Sequence, residues 1–416
     1  MGKSFTRQLL QLLPKSIRHE IYRRQLELPW MPDEDIQFKL VGTTDEFMGA
    51  IRVLHDSYVE RRFMDRDPQG IRLTPYHLLP NTLTAVAVQK GRVVATMSII
   101  RDNPLGLPMD KIFDLSTLRQ NGEILCEVSA LAIHPDYRGN GGKLLHSLIR
   151  FLWRYAYESF GIDRYVIAVN PSMAELYEAF YLFESLPVNN IVNQYDFVKG
   201  APAVALSLPT MTSYDLIKKV YSKAPLERNL YQFMQLSHHK TEVYPHSEYY
   251  KVAHSIVSSE FIRDLRSIIP DLHARFSEET KRLLANQWGV DTFEEIGTET
   301  VQRQRFAVTS ILSPPNSTQG KSSPIKVLDV SRSGLKLFIG KHQEMAETTR
   351  ILKIPLGPSI ISQIVAAPVW KNEAGTAGYK LVSADQEWHR MINHFENQNH
   401  LEQTLNRGTS KLLRVA

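Results

Sequence analysis

At 416 residues, with 43% hydrophobic and 22% charged side chains, the chain is too long for one ordinary hydrophobic core and too balanced in composition to be disordered or fibrous, so two domains and a connector are expected. No apolar run approaches the ~18 residues of a membrane span, and the lone Cys126 excludes an intrachain disulfide; with no signal-type N-terminus, a cytoplasmic protein is expected. All of the +5 net charge falls in residues 1–26, where Lys3, Arg7, Lys15, Arg18, Arg23 and Arg24 face Glu20 alone, and the balanced remainder excludes a general nucleic-acid-binding surface.

Residues 1–34 read as a basic amphipathic segment, with Leu10, Leu13, Ile17 and Ile21 at helical spacing and Pro14 placed to begin a helix. Two readings stand with equal weight: peripheral contact with anionic lipid at the inner face of the membrane, or a helix that packs its apolar stripe on the domain and leaves its charges solvated. Residues 35–210 read as one α+β domain. Phe47, Ile51, Leu54 and Tyr58 predict a helix over 44–63, and Pro68, Gly70, Pro75 and Pro80 predict a loop. Two β-branched runs, 82–88 and 92–100, flank Gln89-Lys90-Gly91 as a hairpin. A strand over 124–133, a helix over 141–160, a short strand over 165–169 and a helix over 171–183 follow, which describes a mixed sheet with a crossover helix. Residues 211–298 read as a polar helical connector. Short strands broken by Pro, Ser and Gly turns over 299–383 predict a small β-barrel, and residues 384–416 hold a last helix and a tail.

The most informative stretch runs from Glu127 to Lys143 as strand, turn, glycine-rich loop and helix. Arg138, Gly139, Gly141, Gly142 and Lys143 lie where backbone N–H groups and a helix N-terminus can face an anion such as the phosphate of a pantetheine arm; a glycine-rich helix start with no ligand is the plainer reading. Glu127 and Ser129 share one strand face at spacing two, with Cys126 on the other face as a buried strand residue. Lys143, Arg150 and Arg154 form a basic stripe on the next helix, suited either to docking an acidic carrier protein or to plain solvation. His238, His239, His246 and His254 lack compact ligand spacing, so no metal is expected.

The loop, followed by Asn170 and by Tyr177 seven residues on, resembles the GNAT N-acyltransferase superfamily, with Lys143 and Leu182 standing where that pattern has glycine. Upstream, Tyr58-Val59, Thr74-Pro75-Tyr76, Leu78-Leu79-Pro80, Gly106-Leu107-Pro108 and Glu127-Val128-Ser129 are similar to the long-chain N-acyl amino acid synthases, relatives of acyl-homoserine-lactone synthases, over residues 36–210. That resemblance implies transfer of a fatty acyl group from acyl carrier protein or acyl-CoA to an amine such as an amino acid. Ala130 stands where Arg commonly follows the Glu-x-Ser. The chemistry needs a base for the amine, donors for the oxyanion and a proton for the thiolate. Glu127 is assigned as the base beside Ser129, Tyr177 as the proton donor, and Leu131, Ile133 and Asn170 as pantetheine-side groups, with core filling as the alternative for Tyr177.

Asp329, Ser331 and Gly334 match the Asp-x-Ser-x-x-Gly turn of PilZ domains, and Trp370 with Gly378-Tyr379-Lys380-Leu381 resembles their later strands. The resemblance implies cyclic di-GMP as ligand, held with arginines from the segment containing Arg303 and Arg305, where Val308 occupies the second family arginine position. A barrel kept for protein contacts, with a structural Asp-Ser turn, is the alternative. The fold class expected is α+β: a GNAT-like mixed sheet with flanking helices, a helical connector and a C-terminal small β-barrel of PilZ type. The competing function is a non-catalytic sensor of acyl chains or of a partner.

Overall fold

The computed structural model describes residues 12–31, 33–103, 105–139, 142–156, 161–186, 193–195, 198–235, 240–245, 249, 256–257, 259–288, 306–312, 325–345 and 347–395. The first helix, α1 (Lys15–Arg24), starts after Pro14. β1 (Ile36–Leu40) leads into α2 (Thr44–Glu60), whose N-terminus is capped by the Thr43 side chain accepting from the Glu46 N–H, with Asp45 and Glu46 in its first turn. The hairpin forms as β2 (Thr82–Gln89) and β3 (Arg92–Arg101), followed by the short α3 (Ser116–Gln120). Then come β4 (Leu125–Ile133), α4 (Lys143–Tyr155), β5 (Arg164–Val169) and α5 (Pro171–Tyr181). β6 (Glu184–Ser185), β7 (Asn193–Tyr195) and β8 (Ala201–Pro209) close this part.

The sheet runs β6-β8-β5-β4-β3-β2-β1-β9, with β7 also paired to β8. Its β4–β5 pair is parallel and its β1–β2, β2–β3, β3–β4 and β5–β8 pairs antiparallel, the mixed sheet expected of a crossover through α4. Alternation along the strands feeds two cores: Val86 and Ile100 join α2 on one face, while Ala85, Met97 and Ile99 join α4 on the other.

The connector is part of this body. It holds α6 (Thr210–Tyr221), α7 (Leu230–Gln235), β9 (Glu242–Val243), α8 (Ser259–Ile268) and α9 (Glu278–Trp288). β9 adds a parallel edge to β1, and Phe261 of α8 meets Phe47 of α2 edge to face at 5.0 Å. This placement overturns the basic stripe on α4. Arg150 is fully buried, its guanidinium 2.6 Å from Glu242 and 4.4 Å above the Phe233 ring, and Arg154 lies over Tyr244. A charged group at that position is explained by the strand that arrives from ninety residues later, which helical periodicity could not foresee.

At the other end of the chain, α1 spends its basic side chains on α5: Arg18 pairs with Glu175 at 2.5 Å, Lys15 with Glu178 at 2.9 Å, and Arg23 donates to the Ala179 carbonyl. Its Ile17 is exposed, so the contact is made by the charged face rather than by the apolar stripe. Residues 1–11 lie outside the described residues. Among the described residues no helix is long and apolar enough to cross a membrane.

The C-terminal part is a six-stranded antiparallel sheet in the order β10-β11-β12-β15-β14-β13. Its strands are β10 (Phe306–Leu312), β11 (Ile325–Ser331), β12 (Gly334–Phe338), β13 (Arg350–Gly357), β14 (Ile360–Lys371) and β15 (Thr376–Ala384). The edges β10 and β13 touch, so the sheet curls toward a barrel, and α10, described over 386–395, plugs it with Trp388, Met391, Ile392 and Phe395, all buried.

The barrel is docked on the N-terminal body at the root of β4. Lys326 Nζ donates to the Gly122 carbonyl at 3.2 Å and to Asp163 Oδ2 at 2.7 Å, and the same carboxylate oxygen accepts the Ile124 N–H at 2.7 Å. Phe338, the register partner of Lys326, lies over Gly122, whose φ is +78° and whose added Cβ would sit 2.5 Å from the ring. Gly122→Ala is therefore expected to cost about 1–3 kcal/mol by overpacking and left-handed strain, read as a lowered denaturation midpoint. An unchanged midpoint would show that this contact contributes nothing to stability.

Candidate functional site

The site begins where β4 and β5 part. Their parallel ladder pairs Leu125–Arg164, Cys126–Tyr165 and Glu127–Val166 and then stops, although β4 runs on to Ile133 and β5 to Val169. On its other side β4 carries an extra residue: Thr96 pairs with Ala132 and Ser98 with Ser129, and Ala130 in this bulge has φ +52°. A bulge re-aims side chains and adds twist, which widens the gap toward β5, and a non-glycine residue in the left-handed region stores strain there.

A cavity of about 390 Å³ fills this gap. Glu127, Ser129, Leu131, Ile133, Arg138, Asn170 and Tyr177 all line it, so seven of the residues expected from sequence converge. One wall is apolar: Leu145, Ile149, Leu152 and Trp153 of α4 face Met97, Ile99, Tyr165 and Ile167 of the sheet. Next in the chain to the lining residue Arg138, Gly139 (φ +82°) takes a left-handed conformation, as does Gly142 (φ +74°), which caps α4 three residues before the lining residue Leu145. Gly141 lies outside the described residues, and Lys143 is exposed on the first turn of α4. Arg138 is already engaged, through Glu60 at 2.5 Å, the Ile133 carbonyl at 2.7 Å and Ser57 Oγ at 3.3 Å, which ties α2 to the end of β4. Asn170 caps α5 by accepting the Ser172 N–H, so its position is explained by helix geometry as well as by the cavity.

Glu127 is buried, and its Oε2 accepts the Met109 N–H at 2.8 Å. Burial raises its pKa from 4.5 to about 8, with Asp110 adding repulsion against the opposing hydrogen bond from Met109. Tyr177 is pushed above the usual phenol range by burial, against the pull of Arg61, and so stays a proton donor. Cys126 is free and fully buried, its thiol raised by burial, as expected of a core residue.

Sequence reading missed the contribution of α2. Ser57, Tyr58, Arg61 and Phe63 line the same cavity, and Tyr58 also faces a small cleft on the other side of the bulge with Arg72, Thr74, His77, Ser98 and Ser129. Arg72 sits 4.3 Å above the Tyr58 ring. Burial lowers the pKa of His77 to about 4, and its Nδ1 accepts the Thr74 N–H. Only the Tyr58-Val59 and Thr74-Pro75-Tyr76 signatures touched this region in the sequence.

In the barrel, Ser331 is buried and its Oγ donates to the Gly334 carbonyl, while a Cβ on Gly334 would sit 2.6 Å from the Tyr379 carbonyl oxygen. Both residues thus have a structural task in the β11–β12 turn. Val308 is in the barrel core, which removes it as the position of a ligand-facing arginine. Arg303 and Arg305, like His238, His239, His246 and His254, lie outside the described residues. Asp329 lies close enough to the buried Arg101 of β3 to favour its charged form.

Comparison with known proteins adds a family. Residues 49–209 match the family described as N-acyl amino acid synthase FeeM. Among solved structures, FeeM from uncultured soil microbes is 24% identical over 43% of this chain and 93% of that one, with a TM-score of 0.38. BjaI, a CoA-dependent acyl-homoserine lactone synthase solved with SAM and isopentyl-CoA, is 15% identical over 48% of this chain and 100% of that one, with a TM-score of 0.35. An acyl-CoA N-acyltransferase from Pseudomonas aeruginosa is 14% identical over 42% of this chain and 97% of that one, with a TM-score of 0.28. No curated protein matches. The matched segment contains every group named in the cavity wall on β3, β4, α4, β5 and α5.

The raised pKa of Glu127 has a thermodynamic sign. A carboxyl group that is neutral when folded and ionised when unfolded stabilises the fold fully below about pH 4.5, and this is lost progressively up to about pH 8. Glu127→Gln, which cannot ionise, is therefore expected to gain thermal stability over the wild type near pH ~9 and to lose that advantage near pH ~5. Equal differences at the two pH values would mean that Glu127 titrates normally.

Proposed function

We propose that this protein is an N-acyltransferase that moves a fatty acyl group from a pantetheine thioester to an amine such as an amino acid. The observation that carries the reading is a buried carboxyl group, Glu127, lining at a strand splay a cavity that has an apolar wall on α4. An acyl chain fits the apolar wall, and an anionic phosphate would suit the nearby N-terminus of α4. Residues 35–210 are the catalytic unit, with the 211–298 segment completing its cores.

The nitrogen of the neutral acceptor amine attacks the thioester carbonyl as it gives one proton to ionised Glu127, and the resulting oxyanion takes hydrogen bonds from backbone N–H groups of the Leu131–Ile133 stretch. Collapse forms the amide, breaks the C–S bond and sends the Tyr177 proton to the departing sulfur; Glu127 then releases its proton to solvent and the Tyr177 phenolate takes one up, which restores both groups. The cleft with Arg72, Tyr58 and Ser129 supplies the acceptor side, where a guanidinium can meet a carboxylate in the absence of an arginine at Ala130. Acyl carrier protein is the donor proposed from the resemblance to N-acyl amino acid synthases. With Arg150 buried, its acidic surface would meet Arg61 of the cavity wall and Lys143 at the start of α4.

The barrel enters this reading as a regulatory or supporting module, on the observation that Lys326 and Phe338 grip the root of the strand that carries Glu127. Cyclic di-GMP as its ligand rests on the turn at Asp329 alone. Calorimetry of the full chain with cyclic di-GMP is expected to show weak or no binding, and tight binding lost on Asp329→Ala would reverse that expectation.

The experiment for the main reading incubates the full chain with hexadecanoyl thioesters of coenzyme A and of acyl carrier protein and a mixture of amino acids, with mass spectrometry for N-acyl products. Product formation is expected to fall at least ~10²-fold in Glu127→Gln and ~10-fold in Tyr177→Phe. Thioester binding without transfer by the wild type to any amine would replace the enzyme with an acyl sensor.

A further inference from the structure

The hydrogen-bond donor that holds Glu127 is not on its own strand. It is the N–H of Met109, in the 3-10 turn Pro108–Lys111, eighteen residues earlier in the chain. That turn is short and leaves the sheet between β3 and α3, so something must fix it against β4. Leu107 and Met109 anchor it by burial in the core, and one side chain of α3 adds a polar brace. Arg119 of α3 donates to Asp110 Oδ1 at 2.8 Å and Oδ2 at 2.7 Å, and to Asp102 Oδ1 at 3.0 and 2.7 Å. Each of the bridged carboxylates in turn holds backbone. Asp110 Oδ2 accepts the Leu107 N–H at 2.6 Å at the start of the turn, and Asp102 Oδ2 accepts the Leu125 N–H at 3.2 Å, two residues before Glu127.

We propose that Arg119 is a positioning residue for the acyl-transfer base: through Asp110 and Asp102 it ties the Met109 turn to the start of β4 and so sets where the Glu127 carboxylate sits in the cavity. The inference rests on the reading of Glu127 as the base. A planar guanidinium suits the task because it presents several donors in fixed directions and bridges two carboxylates at once, which an ammonium cannot reproduce. The brace is half-buried, so its bonds are held against water, and removal of Arg119 leaves two carboxylates facing each other without their cation.

The electrostatic surroundings give a readout that a merely structural residue would not move. Glu127 is coupled to Asp110 and also to Tyr58, Tyr76 and Cys126, with Arg72 and Arg61 acting on Tyr58. Asp110 already opposes ionisation of Glu127, and Arg119 is paired to Asp110. Under the proposal, loss of that cation leaves the Asp110 charge uncompensated and moves the ionisation of Glu127 to higher pH, whereas loss of the Asp110 charge moves it to lower pH.

The test uses the full chain in the thioester assay described above, with rates followed across pH and with folding checked by circular dichroism and thermal denaturation. Arg119→Gln is expected to lower kcat at least ~10-fold with little change in the donor KM, because the base is displaced while the donor cavity is intact, and to shift the acidic limb of the rate profile upward. Asp110→Asn is expected to shift the same limb downward, and Arg119→Lys is expected to recover only part of the rate. A folded Arg119→Gln with the wild-type kcat and an unmoved limb overturns the proposal. If Arg119→Gln does not fold, Asp110→Asn decides: an unmoved or upward limb overturns the proposal, and a downward one supports it. Full activity in Glu127→Gln would instead sink the base reading itself, an outcome separate from either of these.

Discussion

The last rung at which β4 still pairs with β5, Glu127 with Val166, is the constraint on which the site depends. Below it the two strands are held by a continuous ladder, and above it the bulge around Ala130 turns β4 away, so that the backbone N–H groups of the strand and the face of α4 border a common space. A carboxylate placed at this rung is removed from water and yet reaches the cavity. Burial sets its raised pKa, and that burial comes from the α2 face, where Ile100, Met109 and Leu125 pack, while the apolar wall on α4 lies on the opposite face of the sheet and meets it only at the splay.

The surroundings of the rung are built from segments distant in the chain. α1 ties itself to α5, the helix of Tyr177, by Arg18–Glu175 and Lys15–Glu178. β9 closes over α4 through the Arg150–Glu242 pair, and the barrel reaches the base of β4 through Lys326. Partly exposed ion pairs of the first kind contribute modestly to stability, while a fully buried pair such as Arg150–Glu242 is costly to break on one side. The elements around the cavity are therefore held by charges whose partners lie outside the matched segment 49–209. That is a physical role for the parts of the chain outside the matched segment.

Much of the secondary structure was readable because local chemistry decides it. The alternating β-branched runs around Lys90-Gly91 form the hairpin, the period of Leu145, Leu148, Ile149 and Leu152 forms α4, and Asn170-Pro171 starts α5. Glu127, Ser129, Asn170 and Tyr177 could be named together because their spacing resembles a known family, and they do share one cavity. The basic stripe failed for a reason that periodicity cannot address: whether Arg150 meets water or Glu242 depends on a segment ninety-two positions later. That Val308 faces the barrel core likewise follows only from the register of β10 against β11, since a position in a strand gains its face through its pairing.

By itself the sequence determined the α+β order of elements, the strand-loop-helix geometry expected at Glu127–Lys143, and a run of short strands in the C-terminal part, because these rest on side-chain period, turn residues and chain chemistry within a few residues of each other. Tertiary structure alone decided which cations are free and which are spent, that Met109 and not a neighbour on β4 holds the Glu127 carboxylate, and that the barrel grips the root of that strand. Such contacts join residues far apart in the chain, and their energies depend on distance and burial, quantities that spacing along the chain does not contain.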